Sequence, residues 1–218
     1  MDQDKRNELS KSLRRLADPD VTSDKILKDS LILQIPSRRR GLFLLLCSTL
    51  FFVLYYGFLI KFGNIIEGLR DILGSINDIV VPTFAVIITG YAIFQALVNG
   101  STLINLMTAS DKDKSKFEEY NLYFFGLSIL YLTLIILNLL LIVFLKTVPE
   151  DWSLPLVSNS TNNLIASLLL TVYFTLLIHC LVELKSFVFN LFLCFRINAT
   201  SSGIDFLREY NDIKRKNK

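Results

Sequence analysis

Four long runs of apolar residues constrain this chain more than any other feature of its sequence. They cover residues 41–60, 79–98, 122–145 and 164–182. Each is close to the roughly 20 residues that a helix needs to cross about 30 Å of hydrocarbon. A soluble protein of 218 residues would need a polar face on most of its helices. The sequence therefore predicts an all-α polytopic membrane protein with four transmembrane helices.

The distribution of basic residues predicts how the chain is oriented. Of the 23 Lys and Arg residues, ten precede the first run. If both ends and the second connection are cytoplasmic, 19 of the 23 lie inside and three lie outside. We therefore expect an integral membrane protein with its N- and C-termini in the cytoplasm.

The pattern along the chain divides it into three parts. Residues 1–40 form a basic cytoplasmic arm, residues 41–195 a four-helix transmembrane domain and residues 196–218 a basic cytoplasmic tail. Apolar residues at helical spacing also predict short amphipathic helices near the membrane surface. They fall in the arm, at residues 8–17 and 23–33, in the first outer loop, at residues 65–76, and in the tail, at residues 204–213. The loop segment is interpreted as an interfacial helix or as an extension of the first span.

The fourth run carries a ridge of polar residues at every fourth position, which we call the polar ridge. Its members are Asn163, Ser167, Thr171, Thr175, His179 and Glu183. Residues four apart are neighbours on one helix face, and lipid tails cannot hydrogen-bond them. The polar ridge should therefore face protein or water. Thr171, Thr175, His179 and Glu183 are the candidate site, because His179 and Glu183 can titrate.

Two interpretations of the polar ridge remain open. Ser and Thr often bond their own helix backbone, and polar side chains tie membrane helices together by about 1 kcal/mol each. The ridge is then helix packing, with Glu183 at the inner headgroup level. In the second interpretation the ridge lines a water-accessible path or switch. Four helices in one copy offer little room to bury so long a ridge, so we expect a homo-oligomer.

Basic residues flank the transmembrane domain on its predicted cytoplasmic side. They are candidate contacts with anionic lipid or with a partner, although they also serve as topology signals. These residues are Arg38, Arg39 and Arg40 before the first span and Arg208, Lys214, Arg215 and Lys216 in the tail.

The sequence offers little for catalysis or for a cofactor. One histidine and one glutamate are the only groups of their kind within the spans, and the three cysteines show no metal-ligand spacing. We predict no catalytic, cofactor or metal site and no direct binding to nucleic acid. Two functions remain: a non-enzymatic scaffold that oligomerises and recruits a cytoplasmic partner, or an oligomeric ion or proton channel lined by the fourth helix.

The four spans and the basic ends, residues 5–40 and 208–218, resemble the small membrane subunit of bacterial anti-phage systems of the Kiwa type. The resemblance extends over the whole chain and consists of topology. It implies an inner-membrane oligomer that senses infection and engages a soluble DNA-binding partner. Immunity proteins against pore-forming toxins are similarly small four-span proteins, which leaves a third alternative.

Overall fold

A computed structural model describes residues 3–62, 66–111, 114–149 and 152–216. Within these ranges the chain folds into helices and two very short strands. In chain order they are α1 (Gln3–Leu16), α2 (Ser23–Ile32), α3 (Arg38–Phe62), α4 (Ile66–Leu97), α5 (Gly100–Thr108), β1 (Ser110–Asp111), β2 (Lys114–Ser115), α6 (Lys116–Thr147) and α7 (Asn159–Lys216). The all-α class is confirmed. The helices α3, α4, α6 and α7 are long and apolar enough to cross a membrane.

The two helices predicted in the arm are confirmed as α1 and α2. Thr22 caps α2, because its side-chain oxygen accepts a hydrogen bond from the backbone N–H of Lys25. Such a cap satisfies one of the N–H groups that a helix start leaves without a partner.

The amphipathic segment of the first loop is helical from Ile66 onward, while Ile65 lies outside the described residues. The segment is continuous with the second span as part of α4. No strong helix breaker separates residues 66–76 from the apolar run, and the helix therefore continues. Pro82 lies inside this long helix.

The predicted tail helix exists, but it is the last part of α7 and not a separate element. The helix runs for 58 residues, which is about 87 Å at 1.5 Å per residue. Gly203 is the only glycine between the fourth run and Lys216, and one glycine weakens a helix without ending it. The short helix α5 was not foreseen at all.

By its internal contacts the chain divides into two compact units. Unit 1 contains Met1–Gln34, Val86–Leu127 and Lys185–Lys218, and unit 2 contains Ile35–Ala85 and Ser128–Leu184. The core of unit 1 is built on aromatic rings. The ring of Phe124 lies 5.0 Å from that of Phe94 and 5.6 Å from that of Phe187, measured between centroids. All three rings are buried, so unit 1 has a packed interior.

Helices α1, α2 and α5, which we call the arm cluster, are held within unit 1 by specific polar contacts. The hydroxyl of Ser12 in α1 donates to the carbonyl of Met107 in α5 at 3.0 Å. The amide of Gln34, just after α2, donates to the carbonyl of Tyr123 in α6 at 3.0 Å. Asp29 pairs with Lys114 at 2.8 Å. The basic arm is therefore a folded part of the protein.

The core of unit 2 combines large apolar side chains with a few polar ones. Leu73, Val80, Tyr131 and Leu134 are each at most 1% exposed. Helix α3 contacts α7 through rings, with Phe51 and Tyr55 lying 5.6 Å and 5.2 Å from Phe174. Most other large side chains of α3 are exposed, as expected of a helix that faces lipid.

Gly126 in α6 allows α2 to approach closely, and its replacement by Ala tests that contact. A methyl group at this position would overlap the backbone carbonyl of Ser30. Overpacking of this kind costs about 1–3 kcal/mol, because backbone must shift to relieve it. We expect Gly126→Ala to lower the thermal unfolding temperature in detergent, measured by the reaction of buried Cys180 and Cys194 with a thiol-reactive dye.

Gly74→Ala in α4 is the matched control. A Cβ at Gly74 meets no atom within 4 Å. Alanine also favours a helix over glycine by about 0.5–1 kcal/mol, so this variant should unfold at the same or a higher temperature. Equal unfolding temperatures for the two variants would contradict the close approach at Gly126.

Candidate functional site

The polar ridge of α7 is largely covered by the chain's own helices. Ser167, Thr171 and Glu183 are 0%, 5% and 1% exposed, and Thr175 and His179 are half-buried. One copy therefore buries most of the ridge. The premise that four helices offer too little surface for it was wrong, because α7 is contacted along its length in unit 2 by side chains of other helices.

The innermost member of the ridge is part of an ion pair. Nη1 of Arg40, in the first turn of α3, lies 2.6 Å from Oε1 of Glu183 and donates a hydrogen bond to it. The side chain of Glu183 is 2% exposed, whereas that of Arg40 is 41% exposed. A charge-assisted bond of this length stabilises the carboxylate in a site where water reaches only its partner.

Two ridge hydroxyls are satisfied by the helix itself. Oγ of Ser167 donates to the carbonyl of Asn163, and Oγ1 of Thr175 donates to the carbonyl of Thr171, both at 2.7 Å. This back-bonding over four residues is the usual way in which Ser and Thr are tolerated in apolar helices. These contacts favour the packing interpretation.

Two ridge atoms are buried without a hydrogen-bond partner among the described residues. They are Oγ1 of Thr171 and Nδ1 of His179. His179 therefore makes no hydrogen bond to Glu183 through Nδ1. A buried polar atom without a partner is uncommon and calls for a physical explanation, such as an ordered water.

A second polar cluster lies on the side of α7 opposite Thr171 and Thr175, around Asn138, whose place in an apolar run predicts an interhelical contact. The hydroxyl of Tyr173 donates to Oδ1 of Asn138 at 2.6 Å, and Nδ2 of Asn138 donates to the carbonyl of Leu73 at 3.2 Å. The hydroxyl of Tyr131 donates to the carbonyl of Cys180 at 3.0 Å. These bonds join α4, α6 and α7. Asn138 in an apolar run was the one available signal for this cluster.

The basic residues at the predicted cytoplasmic side divide into two groups. Arg40 pairs with Glu183 and therefore ties α3 to α7. The remaining six are exposed, namely Arg38, Arg39, Arg208, Lys214, Arg215 and Lys216. Arg208 makes a long 4.0 Å contact with Asp205. These six present their charge to solvent, lipid or a partner, as do exposed basic residues of α1 such as Lys11 and Arg14.

The end of α6 in unit 2 is also held by an arginine. Arg70 of α4 donates to the carbonyls of Leu145 and Val148 at 2.8 Å and 3.1 Å. Leu145 lies in the last turn of α6 and Val148 follows directly after the helix, where acceptors are left without partners and attract positive charge. Arg70 therefore caps α6.

The described residues contain no group of three His, Cys, Asp or Glu side chains that could hold a metal ion. The fold and these contacts define a polytopic α-helical membrane protein in which some polar groups of α7 bind side chains of other helices. Comparison with protein-family models, with curated protein sequences and with solved structures finds no match for this chain.

The ion pair can be tested by a double-mutant cycle on Arg40→Met and Glu183→Met. Arg40→Met removes the guanidinium that pairs with the buried Glu183 carboxylate. Removing one partner of a fully buried ion pair lowers the free energy of unfolding by about 3–5 kcal/mol. The exposure of Arg40 should bring the cost below that range. Replacing both residues should recover much of the lost stability, measured by thermal unfolding in detergent. Additive effects of the two changes would contradict the contact.

Proposed function

We propose that this chain is a non-enzymatic integral membrane subunit that self-associates and recruits or regulates a cytoplasmic protein. The observation that carries the proposal is the arm cluster. Its helices are folded and are joined to α6 by side-chain contacts rather than trailing from the first span. A chain whose only task was to cross the membrane would gain little from such a structure.

The contacts of the arm cluster support a binding role. The Arg15–Glu118 pair, at 3.3 Å, joins α1 to the start of α6, in addition to the Asp29–Lys114 pair near α2. A surface that is already ordered loses less conformational entropy when a partner binds. The exposed face of α1 is rich in Lys and Arg, so the partner surface should carry acidic groups.

The 19-to-three partition of basic residues supports placing this face in the cytoplasm. The anti-phage setting is supported only by the resemblance to the Kiwa membrane subunit. In that setting the chain lies in the bacterial inner membrane, responds to events there and passes a signal to a soluble effector.

A channel is the second candidate, and one observation favours it. The unsatisfied atoms of Thr171 and His179 lie on the same ridge of α7, two turns apart. Water or an ion beside each atom would satisfy it, and a continuous file of such sites along the roughly 12 Å between them would conduct. The back-bonded hydroxyls of Ser167 and Thr175 argue against a continuous file.

The experiment that separates these candidates uses the full chain purified in mild detergent and then reconstituted in liposomes. The scaffold proposal predicts a mass above 24.9 kDa for the protein component by light scattering, and no ion or proton flux above that of empty vesicles. Thr171→Val and His179→Phe should leave both results unchanged. Flux that these two changes abolish would establish the channel and overturn the scaffold.

The partner component is tested by purifying the tagged chain from its native host. A cytoplasmic protein should co-purify with the membrane protein at a fixed ratio. Charge reversal at Lys11 and Arg14, exposed residues of α1, should release it. Charge reversal at the exposed Lys146 is the control and should not. A partner that binds all variants equally would overturn the assignment of the arm cluster.

A further inference from the structure

The part of α7 in unit 1 has two opposite faces of different character. Phe187, Cys194 and Ser201, spaced seven residues apart, are all buried. The residues on the other side of the helix are exposed, although several are large and apolar. Phe189 and Phe192 are 59% and 58% exposed.

The exposed face follows a heptad repeat, the pattern of helices that wind around one another. With Phe189 at position a, every a and d position as far as residue 213 is exposed. These residues, which we call the outer stripe, are Phe189, Phe192, Arg196, Ala199, Gly203, Phe206, Tyr210 and Ile213. The buried residues occupy position f, directly opposite. As far as Ser201 the stripe therefore lies opposite the covered side of α7, and from residue 202 to residue 216 the helix is exposed on all sides.

Lipid cannot cover the far end of the outer stripe. Phe195 is the last residue of the apolar stretch, and Ile213 lies 18 residues beyond it in the same helix. This separation is about 27 Å along the helix axis. It exceeds the thickness of one headgroup layer, roughly 5–8 Å. Phe206, Tyr210 and Ile213 are nevertheless 68%, 57% and 52% exposed.

The charges beside the stripe identify the partner as a second copy of this chain. Copies inserted in one membrane with the same topology carry their tails on the same side, so two α7 helices run parallel. In a parallel pair, position g of one helix meets position e of the next heptad in the other. Glu209 occupies g and Lys214 occupies e. Each pair of copies can therefore form two opposite-charge contacts.

We infer that the outer stripe of α7 is the self-association seam of this protein. The inference rests on the proposed function, because self-association is part of it, and it names the surface responsible. The membrane holds the copies at high effective concentration, so a seam of two to four heptads is sufficient. Arg196 at an a position weakens the seam but fixes its register, and its long side chain can turn toward solvent.

The seam can be mapped by disulfide cross-linking in native membranes. Cys47, Cys180 and Cys194 are first replaced, and single cysteines are then placed on α7 and oxidised with copper phenanthroline. Phe206→Cys and Tyr210→Cys, at d and a, should form dimers of twice the chain mass. Arg208→Cys and Arg215→Cys, at position f, are equally exposed and should form few. Equal yields at both sets of positions would overturn the inference.

Charge exchange tests the parallel pairing independently of folding. In the Tyr210→Cys background, Glu209→Lys places a lysine opposite Lys214 of the second copy. The yield of cross-linked dimer should then fall about threefold, as expected when two exposed ion pairs are lost. Lys214→Glu alone should act similarly, and the two changes together should restore the yield. Failure of the double variant to recover would contradict the pairing.

The outcomes separate this inference from the proposed function. If the protein is oligomeric but forms cross-links equally at positions outside the outer stripe, the scaffold proposal stands and the seam is overturned. If the protein is monomeric, both are overturned. A cross-linked product of any mass other than a multiple of the chain would assign the stripe to a different protein. Quenching of a fluorophore at Tyr210→Cys by spin-labelled lipid would show that the outer stripe contacts the membrane. Either of these last two results would overturn the inference.

Discussion

The lack of hydrogen-bonding groups in the hydrocarbon layer is the constraint on which this structure depends. A polar side chain within a membrane helix must find its partner in protein, because lipid tails supply none. In unit 2 this requirement is met by Glu183 with Arg40 and by Tyr173 with Asn138. Each contact joins α7 to another helix. Of the residues that look like a site in the sequence, Glu183 thus connects α7 to α3, and the Tyr173–Asn138 bond connects α7 to α6.

The elements with a strong periodic signal could be predicted from the sequence. The spans follow from run length, and α1 and α2 follow from apolar spacing ended by Pro19 and Pro36. The boundaries could not be predicted equally well. Whether residues 66–76 join the first or the second span depends on tertiary packing, and so does the continuity of α7 through Gly203. The weak apolar pattern of α5 gave no comparable signal.

The candidate site shows the same limit. The polar ridge was visible because its residues recur at a fixed interval, but the partner of each residue was not. Arg40 looked like a lipid contact beside Arg38 and Arg39, whereas its contact with Glu183 spans 143 residues of chain. Such pairings depend on the way helices pack, which a single sequence does not state. Because one copy already buries most of the polar ridge, the ridge no longer argues for self-association. That argument now rests on the exposed outer stripe.

The central claim is that the polar ridge faces protein and not water. Its most direct test is the accessibility of single cysteines at Ser167 and Thr171, in a background without the native cysteines, to a membrane-impermeant maleimide. The reagent is applied from either side of native membranes, with Arg208→Cys as the exposed reference. The account predicts rapid labelling of the reference and almost none at Ser167→Cys or Thr171→Cys. Labelling of Thr171→Cys at a rate comparable with the reference would show a water-filled path along α7 and contradict the account.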